Sequence, residues 1–572
     1  MPRVPRMAWH IAAMLLHTAI AAHRLCIQLS YGVTSYDAFS YMCNAMTLAG
    51  LGSYFEYNRP LGLSFIASLA FRVLGPSELA YLTICACFYV LSSLSLYAML
   101  TTLVSYPYAI AGSLVYALAP PVYLHSTSGL ADIPSVALAS AAMALAFHSL
   151  KKPKLAFAIP LLVAASSLIR EASAFVVLPL ASLYLATRSF RQLAHVAKGG
   201  FLALLMVLPS LSLYKAKTGS WLYPLSLRAA IAFGTQVMPE ARVSGPMYYI
   251  TNMPTLTSPS YHLGLFLSAL AAVGALLALG LRVEAKAALA STASATALAA
   301  VALAELSSVV WLPLLTAVVA VVSYLGRRPQ LSIAVWFFTF LAFHSHMPVK
   351  VPRYFATMAP AVAALASIGA SRLKLRHMLL LLLASTLVAQ YSMEASGIRV
   401  VLERDASIVE LARTAARVLE ASVPAGSTVY TEFCNAIQWY APEYSVRAVP
   451  LPYTRLGLTH FLHKVRAKYF VSIYTMSELE GYRLLEKRGG VALYELSRPV
   501  EKPRAYLVGR ALHKYLEELV GYRFYLEAPP PLSSSMLWPN PVFTRLDHYT
   551  AEELLKYRVI VLYDFAWSSF EE

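Results

Sequence analysis

Apolar runs recur through the first 392 residues, most of them long enough to cross a bilayer, and Lys and Arg gather at alternate ends of them. No other feature limits the possible folds so strongly. A spanning helix needs about 20 largely apolar residues. A soluble domain carries about 25% charged residues, whereas this chain has 13% charged and 58% hydrophobic residues and a mean hydropathy of +0.59. That much apolar surface cannot be packed inside a water-soluble globule, so much of it must face lipid. The formal charge of +17 does not point to nucleic acid. The basic residues sit in short clusters between apolar runs, as in cytoplasmic loops. Of the five cysteines, Cys26, Cys43, Cys85, Cys87 and Cys434, four lie in or beside apolar runs, and no pair has metal-site spacing. They read as small hydrophobes. The N-terminus passes from basic residues straight into an apolar run without a convincing small-residue cleavage site, so it reads as a retained first span.

Residues 7–29 form that span, and Arg3 and Arg6 before it place the N-terminus in the cytoplasm and the 30–60 loop outside. Residues 61–74 are apolar but too short to cross. They are expected to form an interfacial or re-entrant helix that returns to the outer face. Further spans are expected at 79–104, 108–125, 133–150, 155–169, 172–187, 199–214, 261–281, 286–304, 306–325, 330–345, 354–371 and 377–392. Under this single parity the clusters around Lys151, Arg188, Arg282, Arg327 and Arg372 all fall inside. The expected architecture is a multi-span α-helical membrane protein of about thirteen transmembrane helices, with its C-terminal tail outside.

Residues 393–572 have shorter apolar runs and more charge. An amphipathic helix at 405–420 precedes strand-like STVYTE, KYFVSIY and VALYEL, which alternate with helical stretches as in an α/β layer. From Arg504 the pattern restarts with AYLVG, RFYLE and RVIVLYDF. The expected division is a transmembrane domain at 1–392, an extracytoplasmic α/β domain at 393–500, and a second, small or incomplete α/β unit at 501–572.

Charges at the edge of a bilayer are costly, about 2.5–3.5 kcal/mol each near its midplane. Here Asp37, Glu56, Arg59, Asp132, Arg170, Glu171, Lys350 and Arg353 all fall on the outer side. Asp37 stands in the aromatic stretch SYDAFSYMCNAMTLAGLGSYFEYNRP, which includes Tyr36, Tyr41 and Tyr57. Asp37 and Asp132 are each also placed to cap a helix, with Pro134 in the first turn after Asp132. Arg170 and Glu171 could pair locally, and Arg353 could snorkel to headgroups. His344 and His346, two residues apart, are a weak metal-ligand signal.

The order of motifs is an Asp after the first span, then RPLGLSFIASLAFRVLG, SGLADIPSVAL, LIREA and HMPVKVPRYFATMAP. It resembles the GT-C membrane glycosyltransferases, in particular the protein O-mannosyltransferase and aminoarabinose-transferase branch, over roughly residues 7–392. The resemblance implies a polyprenyl-phosphate sugar as donor, Asp37 as the catalytic base, Asp132 as a second catalytic carboxylate, and Arg353-Tyr354 near the lipid phosphate. Two details depart from the family pattern. Arg59-Pro60-Leu61 stands where Pro-Pro-Leu is common, and Asp37-Ala38 where Asp-Glu is common. No WWDYG-type motif occurs in the tail, which weighs against an oligosaccharyltransferase.

The residue types suit such a transfer. A hydroxyl needs a base to accept its proton, and a phosphate leaving group needs cations instead of a strong acid. Arg59, Arg170, Lys350 and Arg353, with Tyr354 beside them, are the expected phosphate-binding residues. Tyr36, Tyr41, Tyr57 and Glu171 are expected to contact sugar or acceptor. No cofactor is required, a divalent metal is left open, and the acceptor is a protein or a glycolipid. Two other classes compete. A transporter or lipid flippase would place polar groups at the midplane of repeated halves, and neither trait is present here. A non-catalytic anchor for the outer domain gives no reason for Asp37, Arg170 and Arg353 to converge.

Overall fold

The structure is a computed structural model. It describes residues 5–223, 245, 247–279, 328–347, 350–372, 399–449, 455–473, 479–500, 504–509, 525–527 and 559–563. The expected spans 286–304, 306–325 and 377–392 lie outside these residues. The chain divides into two compact units. One comprises Met1–Ala49, Tyr57–Ser226 and Arg242–Asp405, and the other Gly50–Glu56, Leu227–Ala241 and Ala406–Glu572.

The first unit is helical. Its early elements are α1 (Arg6–Tyr31), α2 (Tyr36–Ala49), α3 (Gly62–Leu74), α4 (Glu78–Leu100), α5 (Tyr106–Ala117) and α6 (Pro120–His125). They are followed by α7 (Asp132–Ser149), α8 (Ile159–Ile169), α9 (Val177–Thr187) and α10 (Arg191–Thr218). Later come Tyr261–Leu279, Leu331–His346, the 3₁₀ turn Pro352–Thr357 and Ala359–Arg372. Four of these helices, α1, α4, α10 and Tyr261–Leu279, are long and apolar enough to cross a membrane. On α10, Phe201 is 64% and Leu204 60% exposed, a face that suits lipid and not water. Inside, serine hydroxyls satisfy backbone carbonyls of neighbouring helices. Ser166 donates to Ser135 O at 2.7 Å and Ser367 to Tyr108 O at 2.6 Å, as expected where no water is at hand.

The expected spans 155–169, 172–187 and 354–371 each open on a 3₁₀ segment, so their α-helices start at Ile159, Val177 and Ala359, and two further boundaries differ from expectation. The run 108–125 is not one helix: α5 stops at Ala117 and α6 restarts at Pro120. Tandem Pro120-Pro121 supplies no N–H and disfavours helix in the residue before it. Helix α10 begins at Arg191, eight residues before 199, because the polar stretch RQLAHVAKGG continues it. Helix α3, 13 residues long, is as short as expected.

The second unit is α/β. Parallel strands β1 (Thr428–Thr431), β2 (Ser445–Ala448) and β3 (Tyr469–Ser472) lie in the order β2-β1-β3. A hairpin of β4 (Tyr482–Arg488) and β5 (Val491–Leu496) extends this sheet antiparallel from β3. Helices Cys434–Tyr440 and Arg455–Lys464 make the two crossovers. A second sheet has three parallel strands in the order β7-β6-β8, namely Tyr525–Glu527, Arg504–Gly509 and Val559–Tyr563. The segment Gly50–Glu56 belongs to this unit: Asn435 Nδ2 donates to Glu56 Oε2 at 2.7 Å. Glu56 is therefore not grouped with the charges of the first unit.

Candidate active site

All the other charges singled out in the sequence lie in the first unit, and most of them meet there. Asp37 is in the first turn of α2, where the positive end of the helix favours an anion. It is not the cap, because Ser35 O already accepts from the Ala38 and Phe39 amides. Its carboxylate instead bridges two arginines. Arg59 Nη2 donates to Oδ1 at 2.6 Å, and Arg353 Nη1 and Nη2 face Oδ2 at 3.4 and 3.5 Å. The Asp37 side chain is 22% exposed and that of Arg59 10%.

Asp132 opens α7 without any side-chain cap bond. It forms a close ion pair with Arg170, which stands immediately after α8. The local Arg170–Glu171 pair is thus replaced by a long-range one. Glu171 is half-buried, and its Oε1 has no hydrogen-bond partner among the described residues.

Tyr354 links the two carboxylate pairs. The Arg170 guanidinium lies 4.8 Å from its ring centre and that of Arg353 5.6 Å. His344 stacks on the same ring at 5.2 Å and 20°. The His344 Nε2 is hydrogen-bonded to Thr357 Oγ1 at 2.9 Å, and Thr357 Oγ1 donates to Tyr354 O at 2.9 Å. His344 thus serves to hold Tyr354. Among the described residues no three His, Cys, Asp or Glu side chains gather to hold a metal. Lys350 is buried and donates to Met347 O at 2.7 Å. Burial lowers its pKa from the ordinary lysine value. For Arg353, burial acts to lower the pKa, but Asp37 and Tyr354 outweigh it and the net shift is upward. Tyr36 and Tyr57 are half-buried, and Tyr41 is buried in α2.

The loops that carry these groups touch each other at glycines. Gly129 has φ +82°, and a Cβ there would fall 2.7 Å from Ala38 Cβ and 2.9 Å from the Tyr81 ring. The loop leading to Asp132 is therefore pressed against the first turn that holds Asp37. Gly62, just after Arg59, lies so near the Leu168 and Ile169 backbone that a Cβ would come within 2.7 Å. This brings the Arg59 loop to the end of α8 and thus to Arg170.

Three supporting residues were missed by sequence reasoning. Arg24 on α1 is fully buried and donates to Gln28 Oε1 at 2.8 Å, Leu124 O at 2.9 Å and Tyr123 O at 3.3 Å. Gln28 in turn donates to Gly32 O at 2.7 Å. Glu78 accepts from the Val33 amide at 2.7 Å. Together they hold the loop that enters α2 and the turn that leads towards Asp132. A lone Arg in an apolar run was the only signal for this brace.

Residues 58–213 match the family described as dolichyl-phosphate-mannose-protein mannosyltransferase. No curated protein matches the chain in sequence. Among solved structures, the chain is similar to ArnT from Cupriavidus metallidurans bound to undecaprenyl phosphate, with a TM-score of 0.58 and 12% identity over 84% of this chain and 97% of that one. The apo form of the same protein gives a TM-score of 0.57 at 13% identity, with the same coverage. At this identity the likeness shows a shared fold.

Proposed function

We propose that this chain is a GT-C-type membrane glycosyltransferase that transfers a sugar from a polyprenyl-phosphate donor to an acceptor hydroxyl at the outer face of the membrane, with Asp37 as base. The observation that carries this reading is the Asp37 carboxylate set between Arg59 and Arg353, one aromatic ring away from Arg170 and Asp132. The family matched by residues 58–213 and the lipid phosphate bound by the ArnT neighbour support the donor class.

The long contact between Arg353 and Asp37 is the exchangeable one. An incoming phosphate can take Arg353, with Arg170 and Lys350 as further cations, because a planar guanidinium suits phosphate oxygens. Asp37, still held by Arg59, then has an oxygen for the acceptor hydroxyl. The acceptor oxygen bonds to the anomeric carbon while the bond from that carbon to the phosphate oxygen breaks. The proton passes to Asp37, and the bonding pair leaves with the phosphate. Attack opposite the leaving group inverts the centre. Asp132 orients Arg170. Tyr36 and Tyr57 offer ring surface to the sugar, and Glu171 offers an acceptor for its hydroxyls. The donor chain lies against apolar helices, the N-terminus is cytoplasmic, and the α/β unit is outside.

The test supplies purified protein with radiolabelled polyprenyl-phosphate sugars and with candidate protein and glycolipid acceptors. Label should move to one acceptor class. Failure of every donor to give up its sugar would overturn the reading.

A further inference from the structure

The second unit carries a cationic pocket that the transfer reaction does not use. It has a volume of about 440 Å³, and Thr428, Tyr430, Arg447, Arg466, Lys468 and Tyr469 line it. It sits where β1 and β3 begin, beside the end of helix Arg455–Lys464. Arg447 of β2 is in register with Tyr430 of β1, so both side chains leave the same face of the sheet. Arg447, Arg466 and Lys468 are all exposed, and none is in an ion pair with a described residue. The nearby acid Glu495 is already taken by Arg483 at 2.8 Å.

The backbone at Arg466 adds a second observation. The helix ends with Ala467 N bonded to Leu462 O at 2.8 Å and Arg466 N to His463 O at 3.0 Å. This is the bonding pattern in which the residue before the last amide takes a left-handed conformation and is usually glycine. Arg466 adopts it with φ +50°, a conformation that is strained for a residue with a Cβ. The fold thus keeps a cation where the backbone favours glycine. Cations near a helix C-terminus also suit its dipole, but that does not account for Arg447, which comes from a strand on the far side of the pocket.

The geometry points to a binding site for an anionic saccharide, a sugar ring bearing a phosphate or carboxylate. Three converging cations neutralise the anion, the half-buried Tyr430 ring offers a face for the sugar, and the volume fits a small ligand. The pocket's assignment does not rest on the proposed transfer chemistry.

The test is calorimetric titration of the full-length protein in nanodiscs with mannose 6-phosphate, inorganic phosphate and mannose. Mannose 6-phosphate should bind at least about fivefold more tightly than either of the others, with affinity falling as salt rises. Arg466→Gly should weaken that binding by about fivefold while leaving the melting temperature equal or higher, because glycine relieves the left-handed strain. Adding Arg447→Gln and Lys468→Gln should abolish it. Equal binding of phosphate and mannose 6-phosphate would overturn the proposal. So would undiminished binding in Arg466→Gly, or no saturable binding to the wild type.

Discussion

The Arg170 guanidinium stands 4.8 Å from the centre of the Tyr354 ring, and that contact joins the Asp132–Arg170 pair to the Asp37–Arg353 pair. Each cation over a ring contributes about 1 kcal/mol where partly desolvated. Tyr354→Leu should therefore raise the donor KM by roughly fivefold, while Tyr354→Phe should leave it near wild type. Steady-state kinetics with varied donor distinguishes them. Equal effects of both variants would mean that the ring face is not what matters.

Gly129 is pressed on the first turn of α2. Gly129→Ala combines left-handed strain of about 1–2 kcal/mol with displacement of Ala38, next to Asp37. Turnover should drop at least about tenfold, since small misplacements of reacting groups are costly. Gly50→Ala is the control, because its φ is +80° but nothing lies within 4 Å of its Cβ. It should lower the melting temperature without a comparable loss of turnover. Matched turnover in the two variants would contradict the packing argument.

Burial lowers the pKa of Lys350 below the ordinary value of 10.5. Free lysine would keep its proton up to that value. Lys350 loses it earlier, so the help proposed for it to a bound phosphate would be complete below its folded pKa and fade as pH rises through it. For folding the sign is opposite: in the same window the unfolded chain binds more protons, so stability rises with pH. Donor KM should climb at alkaline pH in the wild type, and Lys350→Arg should remove that climb. Superimposable pH profiles would contradict the assignment.

Arg24 is fully buried and feeds the Tyr123 and Leu124 carbonyls. Arg24→Met fills similar space but takes the donor from the Leu124 carbonyl, at about 1–3 kcal/mol for a buried acceptor left unmet, while Tyr123 O keeps the Ser126 hydroxyl at 2.8 Å. The melting temperature should fall by several degrees, and turnover should fall with it as the turn before Asp132 loosens. Unchanged stability would show that water replaces the side chain.

Much of this arrangement was legible in the sequence, and what was missed has a common cause. Asp37 and Asp132 could be placed because each follows an apolar run and precedes a helix, a pattern of residue types. Apart from Gln28, four positions on, the partners of Arg24 could not be placed, because they are backbone carbonyls about a hundred positions away, and residue type does not mark them. The pairing of Arg170 with Asp132 over its neighbour Glu171 was hidden for a related reason: the turn after α8 decides it. Strand β4, YRLLEKR, was missed because a charged edge strand lacks the apolar alternation used to find strands. The break before Pro120-Pro121 was visible in the chain, but the apolar run on both sides of it outweighed the signal.

The central claim is that Asp37 takes the acceptor proton, and the most direct measurement is turnover of purified Asp37→Asn with radiolabelled donor at saturation. The substitution keeps the shape and removes the base, so turnover should fall by at least about 10²-fold while folding and membrane insertion persist. Turnover close to that of the wild type would contradict the account.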